Sequence, residues 1–299
     1  MSESRETVIQ EFIEAPPRVS AWKRFITVFF GRRIVIFGMI ILIGLMITAI
    51  FANWLAPYDP YLQDLDNVKA SPSTEHLLGT DTLGRDTLSR IIYGSRTSLI
   101  VGFVAIFFAA TVGMTLGLVA GYFGGWTYSV IMRVIDALMA FPMILLALTI
   151  AALLGGGLRN IVIALGISMI PPYARLMCGQ ALHIKENDYV VAAHAIGAGN
   201  WRVMLRHIAP NAFPPLIVLM TMMIGAAILA EAGLSFLGIG IDPPGAAWGA
   251  MVSEGYRYLL TVPVLSFAPG IAIMLVVFAF NMVGDGLRDA LDPRLRGTL

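Results

Sequence analysis

The chain has 299 residues, of which 58% are hydrophobic and only 13% charged, and its mean hydropathy is +0.79. Soluble domains carry roughly 25% charge, so an ordinary soluble domain is excluded and an all-α integral membrane protein is expected. A formal net charge of +1 provides no basic field for nucleic acid, and the single cysteine, Cys178, excludes an internal disulfide framework.

Residues 1–20 carry Glu3, Glu6, Glu11 and Glu14 with Pro16 and Pro17 and no sustained apolar face, the composition of a tail. Trp22, Phe25, Ile26, Phe29 and Phe30 surround Lys23 and Arg24, which predicts a short helix at the membrane surface and gives a first segment of 1–33. An anchor span follows at 34–55, too long for a signal-peptide core and expected to be retained. Beyond a loop at 56–97, a core over 98–283 contains five further apolar runs, at 99–120, 130–154, 161–177, 212–230 and 262–282, and the terminal tail is 284–299. Each run approaches the ~20 residues that a bilayer requires, so six spans are expected.

An even number of spans puts both termini on one side. Of the 20 Lys and Arg, only Lys69, Arg85, Arg90, Arg96, Arg159 and Arg257 fall on the side of the 56–97 and 232–261 loops. The positive-inside rule therefore predicts that the termini and the 185–211 segment are cytoplasmic, with Arg85, Arg90 and Arg96 running against it.

Within the 56–97 loop, Gly79 and Gly84 are spaced as in a phosphate-binding loop. Arg85 and Asp86 stand where Lys and Ser or Thr are needed, and no strand pattern precedes them, so nucleotide binding is not expected. The four histidines, His76, His183, His194 and His207, lack metal-ligand spacing, so neither a metal nor any cofactor is expected on this chain. Charges in or beside spans are functional candidates. Arg133 and Asp136, three apart, are expected to pair with one another, and Glu231 at the outer end of the fifth span is expected to face a pathway or to meet water. Pro142 and the Pro171-Pro172 pair are expected to kink or break their helices.

Between the fourth and fifth spans lies KENDYVVAAHAIGAGNWRVMLRHIAPNAFPP, residues 185–215. Tyr189, Ala192, Ala193 and Ile196 recur at helical spacing, as do Trp201, Met204, Leu205 and Ile208, with Gly197 and Gly199 between the two pieces. Asn200 is placed to cap the second piece, Arg202 and Arg206 lie on a flank away from its apolar stripe, and Pro210 is expected to end it. An interfacial amphipathic hinge would show the same periodicity.

This segment resembles the cytoplasmic loop motif of permease subunits in bacterial ATP-binding-cassette importers: Glu-Ala-Ala, three residues, Gly, nine residues, Ile-x-Leu-Pro. Ala192, Ala193, Gly197 and Pro210 match, whereas Val191, His207 and Ala209 depart from the Glu, Ile and Leu. GTDTLGRDTLSR at 79–90, AGYFGG at 120–125, SFLGIGIDPPGAAWGAMVSEG at 235–255 and GDGLRDALDPRLRG at 284–297 are similar to the second permease of dipeptide, oligopeptide and nickel importers. The resemblance implies a type I importer permease in the bacterial inner membrane, with a coupling helix around Ala192, Ala193, Gly197, Gly199, Trp201, Arg202, Leu205 and Pro210. It also implies a second permease, two ATPase subunits that hold ATP and magnesium, and an extracytoplasmic binding protein. The implied cargo is a di- or oligopeptide, with nickel or glutathione as alternatives. Two readings of other classes are an intramembrane aspartyl hydrolase built on Asp136 and Asp285, and a passive channel.

Overall fold

The computed structural model describes residues 21–242 and 244–291, which form helices and loops with a single isolated bridge between Thr80 and Asp86. The tail expected over 1–20 and the chain beyond Leu291 lie outside the described residues.

Helix α1 (Ala21–Gly31) stacks Trp22 on Phe25 and Phe25 on Phe29, leaving Trp22 exposed and Phe29 buried, the arrangement of a helix lying along a surface. It breaks at Arg32 and continues as α2 (Arg33–Ile50) and the single turn α3 (Ala52–Leu55). Helix α4 (Thr87–Phe123) starts well before the run expected at 99–120, because Asp86 caps it by accepting from the Ser89 amide (2.8 Å). At 37 residues it is about 55 Å long, at ~1.5 Å per residue, and therefore projects beyond a ~30 Å hydrocarbon layer.

The span expected at 130–154 is two helices, α5 (Gly125–Met139) and α6 (Met143–Leu154), bent by 89° at Pro142. Proline supplies no amide donor and its ring clashes with the preceding turn, which breaks the helix there. With 12 residues α6 reaches only about 18 Å. Among the described residues, five stretches are thus long and apolar enough to cross a membrane, and the sixth expected span exists only as a broken one. Helices α7 (Leu158–Ser168) and α8 (Ile170–Ile184) meet at Met169, with Pro171 and Pro172 in the first turn of α8.

Gly113, Gly117 and Gly121 of α4 form one stripe against α8. A β-carbon at Gly113 would lie 2.6 Å from the Ile170 oxygen, and one at Gly121 2.8 Å from the Cys178 oxygen. Small residues four apart let two backbones approach closely, which is how helices associate where lipid offers no hydrophobic drive.

Helix α9 (Asp188–Ala195), the turn α10 (Asn200–Val203), a π-helical turn (Met204–Ile208) and α11 (Ala209–Phe236) follow, and from Asn200 to Phe236 the helix is continuous. Pro210 does not end it, contrary to expectation. The Ala209 amide reaches back to the Met204 oxygen, and the wider turn absorbs the proline's missing donor and ring clash. Helix α12 (Trp248–Tyr256) lies in the following loop, and α13 (Val264–Leu291) closes the bundle.

Contacts sort the loops into two ends. At one, Arg32 pairs with Asp289 (2.6 Å), Lys185 donates to the Gly121 oxygen (3.1 Å), and Arg288 and Leu291 share a cavity with Pro210 and Asn211. At the other, Gly157 donates to Gly240 (3.0 Å) and Arg85 meets Glu254 (3.4 Å). The ends of the described chain and the 185–211 segment thus share one end, and the 56–97 and 232–261 loops share the opposite end.

Candidate functional site

At the end that holds Ala21 and Leu291, the two ends of the described residues, α9 closes in a left-handed turn. Gly197 has φ +85°, its amide donates to His194 (2.9 Å), and the Ala198 amide donates to Ala193 (3.0 Å). This is a Schellman cap, and glycine fits it because a β-carbon disfavours positive φ. Gly199, at φ −68°, has no such requirement. Asn200 does not cap the next helix: its Oδ1 accepts from the Tyr122 hydroxyl (2.8 Å), which ties the segment to the end of α4.

Val190, Ala193, Val203, Met204 and Ile208 turn inward and are buried. Tyr189, Ala192, Ala193, Ile196 and Ala198 line an open groove of about 450 Å³ together with Arg202, Arg206 and His207. The arginines therefore share the apolar groove instead of lying on a flank away from it. Ile196 is 87% exposed, and Trp201 and Leu205 stand outward at 67% and 60%. Of the eight residues expected at a docking surface, Ala192, Ala193 and Arg202 line the groove, Gly197 shapes it, and Trp201 and Leu205 are exposed beside it. Pro210 lies elsewhere, in a cavity of about 730 Å³ with Gln180, Asn211, Val218 and Arg288.

The expected pairing of Arg133 with Asp136 is not formed. Asp136 instead accepts from Arg175 of α8 (2.6 Å), because α5 packs across α8, and both side chains are half exposed. Glu231 neither meets water nor lies at a surface of this chain. It is fully buried, Oε1 accepts from the Ser235 hydroxyl (2.6 Å), and Oε2 has no partner among the described residues.

The opposite end holds a polar core. Asp81 Oδ1 accepts from the Leu83 (2.8 Å) and Arg85 (3.0 Å) amides, and Oδ2 accepts from Arg85 Nε (2.6 Å). Arg90 Nε lies 3.3 Å from the same oxygen but off the hydrogen-bond line, so that contact is coulombic. Arg85 and Arg90 are 3% and 2% exposed, and Arg96 donates to the Ala49 and Ile50 carbonyls. These are the three basic residues that ran against the charge rule, and all three are spent on internal contacts. Trp248, also buried, donates to the Ile91 oxygen (2.9 Å) and lies on Gly94. The GTDTLGRDTLSR and AAWGAM segments thus clamp α12 onto the head of α4. Their spacing carried no sign of this, since paired arginines and carboxylates become a buried cluster only once the two loops meet.

The family described as the inner-membrane component of binding-protein-dependent transport systems matches residues 113–297, and the N-terminal transmembrane domain of oligopeptide transport permease C matches 20–72. The glutathione transport system permease protein GsiD of Pectobacterium atrosepticum is 42% identical over 277 residues, covering 92% of both chains. The protein of the same name from Escherichia coli O6:K15:H31 is 44% identical over 278 residues, covering 92% of this chain and 91% of that one. An inward-facing structure of the MetNI methionine ABC transporter shares the fold, with a TM-score of 0.56 at 19% identity over 69% of this chain and 97% of its own. Carrying both family matches, this chain belongs to the multi-pass inner-membrane permeases of ATP-binding-cassette importers of the dipeptide, oligopeptide and nickel family, and is a transport component, not an enzyme.

Proposed function

We propose that the chain forms half of a translocation pathway for small peptides, that the groove around Ile196 receives an ATPase subunit, and that this groove and both termini face the cytoplasm. The observation that carries the reading is the exposed apolar groove at the foot of a continuous 37-residue helix. Large apolar side chains left bare at 60–87% have no function in an isolated chain, and two arginines beside them suit a partner surface with acidic groups. Asn200 begins that helix and Phe236 ends it beside the opposite loop, where the Phe236 oxygen accepts from Ser253 (3.0 Å). Closure of two ATPases shifts the inward and outward populations only if their surface binds one placement of the groove better than the other. A second permease, two ATPases holding ATP and magnesium, and an extracytoplasmic binding protein complete the assembly in this reading.

Glutathione is itself a small peptide, so the name carried by the relatives agrees with the cargo class and favours it over nickel. Against the hydrolase reading, Asp136 is engaged by the Arg175 guanidinium of α8 and not by a second carboxylate.

The test is Ile196→Asp, with Trp201→Ala/Leu205→Ala as a second variant, in the assembled transporter. These side chains are exposed, so little stability is lost, within about 0.5 kcal/mol for the alanine changes. Membrane levels should match the parent while peptide uptake falls at least tenfold and ATP hydrolysis no longer responds to loaded binding protein. Parental uptake in both variants refutes the assignment.

A further inference from the structure

Above the polar core of the 56–97 loop, at the end opposite the groove, lies a second cleft, of about 200 Å³, lined by Thr82, Ser253, Glu254, Arg257 and Tyr258. Its walls carry charge of both signs. The Glu254 side chain is 40% exposed, and its Oε2 is fixed from below by Arg85 at 3.4 Å, which is itself held by Asp81. Arg257 is exposed and closes the C-terminal end of α12 in helical geometry (φ −65°, ψ −19°). Glu254 and Arg257 are three residues apart on that helix, a spacing that sets β-carbons about 5–6 Å apart and ordinarily lets opposite charges pair. They do not pair: Arg257 makes no ion pair among the described residues, and Glu254 turns toward Arg85.

We propose that this cleft is a weak subsite for the charged ends of a zwitterionic peptide, with Glu254 receiving the ammonium and Arg257 the carboxylate. The proposal rests on the peptide-cargo reading above and adds a recognition site on the permease itself. Reach allows it, since two extended residues span at most about 7 Å and the long Glu254 and Arg257 side chains leave β-carbons about 5–6 Å apart. Chemistry agrees as well. Guanidinium binds carboxylate through two parallel N–H donors, and a carboxylate accepts from an ammonium. Tyr258 lines the same cleft, and its ring carries the Lys69 ammonium 4.5 Å from its centre. Because the cleft is open to water, binding there is weak, which suits a site that passes cargo on instead of retaining it.

The test uses the assembled transporter in nanodiscs without binding protein, with Ala-Ala, N-acetyl-Ala-Ala and Ala-Ala amide at millimolar concentration, read by saturation-transfer difference NMR. Ala-Ala should give a signal several-fold stronger than either capped form. Arg257→Ala should reduce Ala-Ala to the level of the amide, and Glu254→Gln to that of the acetylated form. Arg257→Ala touches none of the buried cluster, so it keeps the test valid if Glu254→Gln disturbs Arg85. Equal signals from the three ligands overturn the proposal, as does an unchanged Ala-Ala signal in Arg257→Ala. So does an Arg257→Ala variant that loses affinity only for the binding protein, which would make the cleft a protein contact. Uptake of labelled peptide by the parent complex with its binding protein is measured in parallel. Its absence defeats the peptide-cargo reading, whereas uptake without end-sensitive binding defeats only this subsite.

Discussion

Replacing Asp81 with alanine removes the carboxylate that faces both buried arginines, Arg85 and Arg90. Its Oδ2 lies 2.6 Å from Arg85 and 3.3 Å from Arg90, and its Oδ1 takes two backbone amides of the turn. After the substitution Arg85 keeps only Glu254 at 3.4 Å, and Arg90 keeps only the Pro60 carbonyl at 3.3 Å. Removing one partner of a buried ion pair costs roughly 3–5 kcal/mol, because the remaining charge is stranded in a medium that solvates it poorly. The two orphaned amides lie in a turn that water can enter once it loosens, so we take about 4 kcal/mol for the whole loss. Hydrogen exchange of the 79–90 segment in the detergent-solubilised protein reads this directly as a local opening energy. Exchange should accelerate on the order of 10³-fold, since each ~1.4 kcal/mol is a factor of ten. Asp81→Asn keeps the turn acceptor but not the charge and should fall between the parent and alanine. Acceleration below about tenfold in Asp81→Ala would show that the arginines are solvated in the folded loop and that the cluster does not hold it.

The remaining predictions concern the spans. A β-carbon at Gly117 collides with the Ala174 carbonyl oxygen, so Gly117→Val should force α4 from α8 and cost at least roughly 1–3 kcal/mol, seen as a lower thermal midpoint with unchanged helix content. A parental midpoint would mean that the two helices do not pack on this stripe. Glu231→Gln keeps an acceptor for the Ser235 hydroxyl, and the carboxylate has an oxygen without a partner to lose, so stability should stay within about 1 kcal/mol of the parent. A loss above about 3 kcal/mol would reveal a buried cation paired with Glu231 in the assembled transporter.

The apolar runs were legible because a bilayer demands length and hydropathy, which are local properties of sequence. Their ends were not. Helix α4 begins at Thr87 because Asp86 caps it, and α13 runs on through Arg288 to Leu291, so polar turns that hydropathy excludes remain helical. Pro142 announced a break but not the 89° bend between α5 and α6. The two helical pieces of the 185–211 segment were legible through their period and Gly197. Asn200 and Asp136 were not, since each is claimed by a side chain far along the chain, Tyr122 and Arg175. Pro210 failed as a stop for a related reason: the π-helical turn that accommodates it is a tertiary accommodation, and helix propensity assigns it no signal.

These misplaced residues share a mechanical consequence. Had Pro210 ended the helix, the groove would hang from the bundle on a flexible joint, and a partner's push would be absorbed locally. Instead, one helix runs unbroken from Asn200, at the rim of the groove, to Phe236, beside the opposite loop, about 55 Å at ~1.5 Å per residue. The second 37-residue helix, α4, is tied to the groove at Tyr122 and Gly121 and to the clamp at the opposite end at Asp86, Arg90 and Ile91. A β-carbon at Gly102 of α4 would lie 3.0–3.1 Å from Ile224 and Ile228 of α11, so the two long helices are packed against one another between those ends. Close-packed interiors transmit displacement because they cannot compress. A shift carried by Asn200 and the helix that follows it therefore has two stiff paths to the loop that holds Glu254 and Arg257.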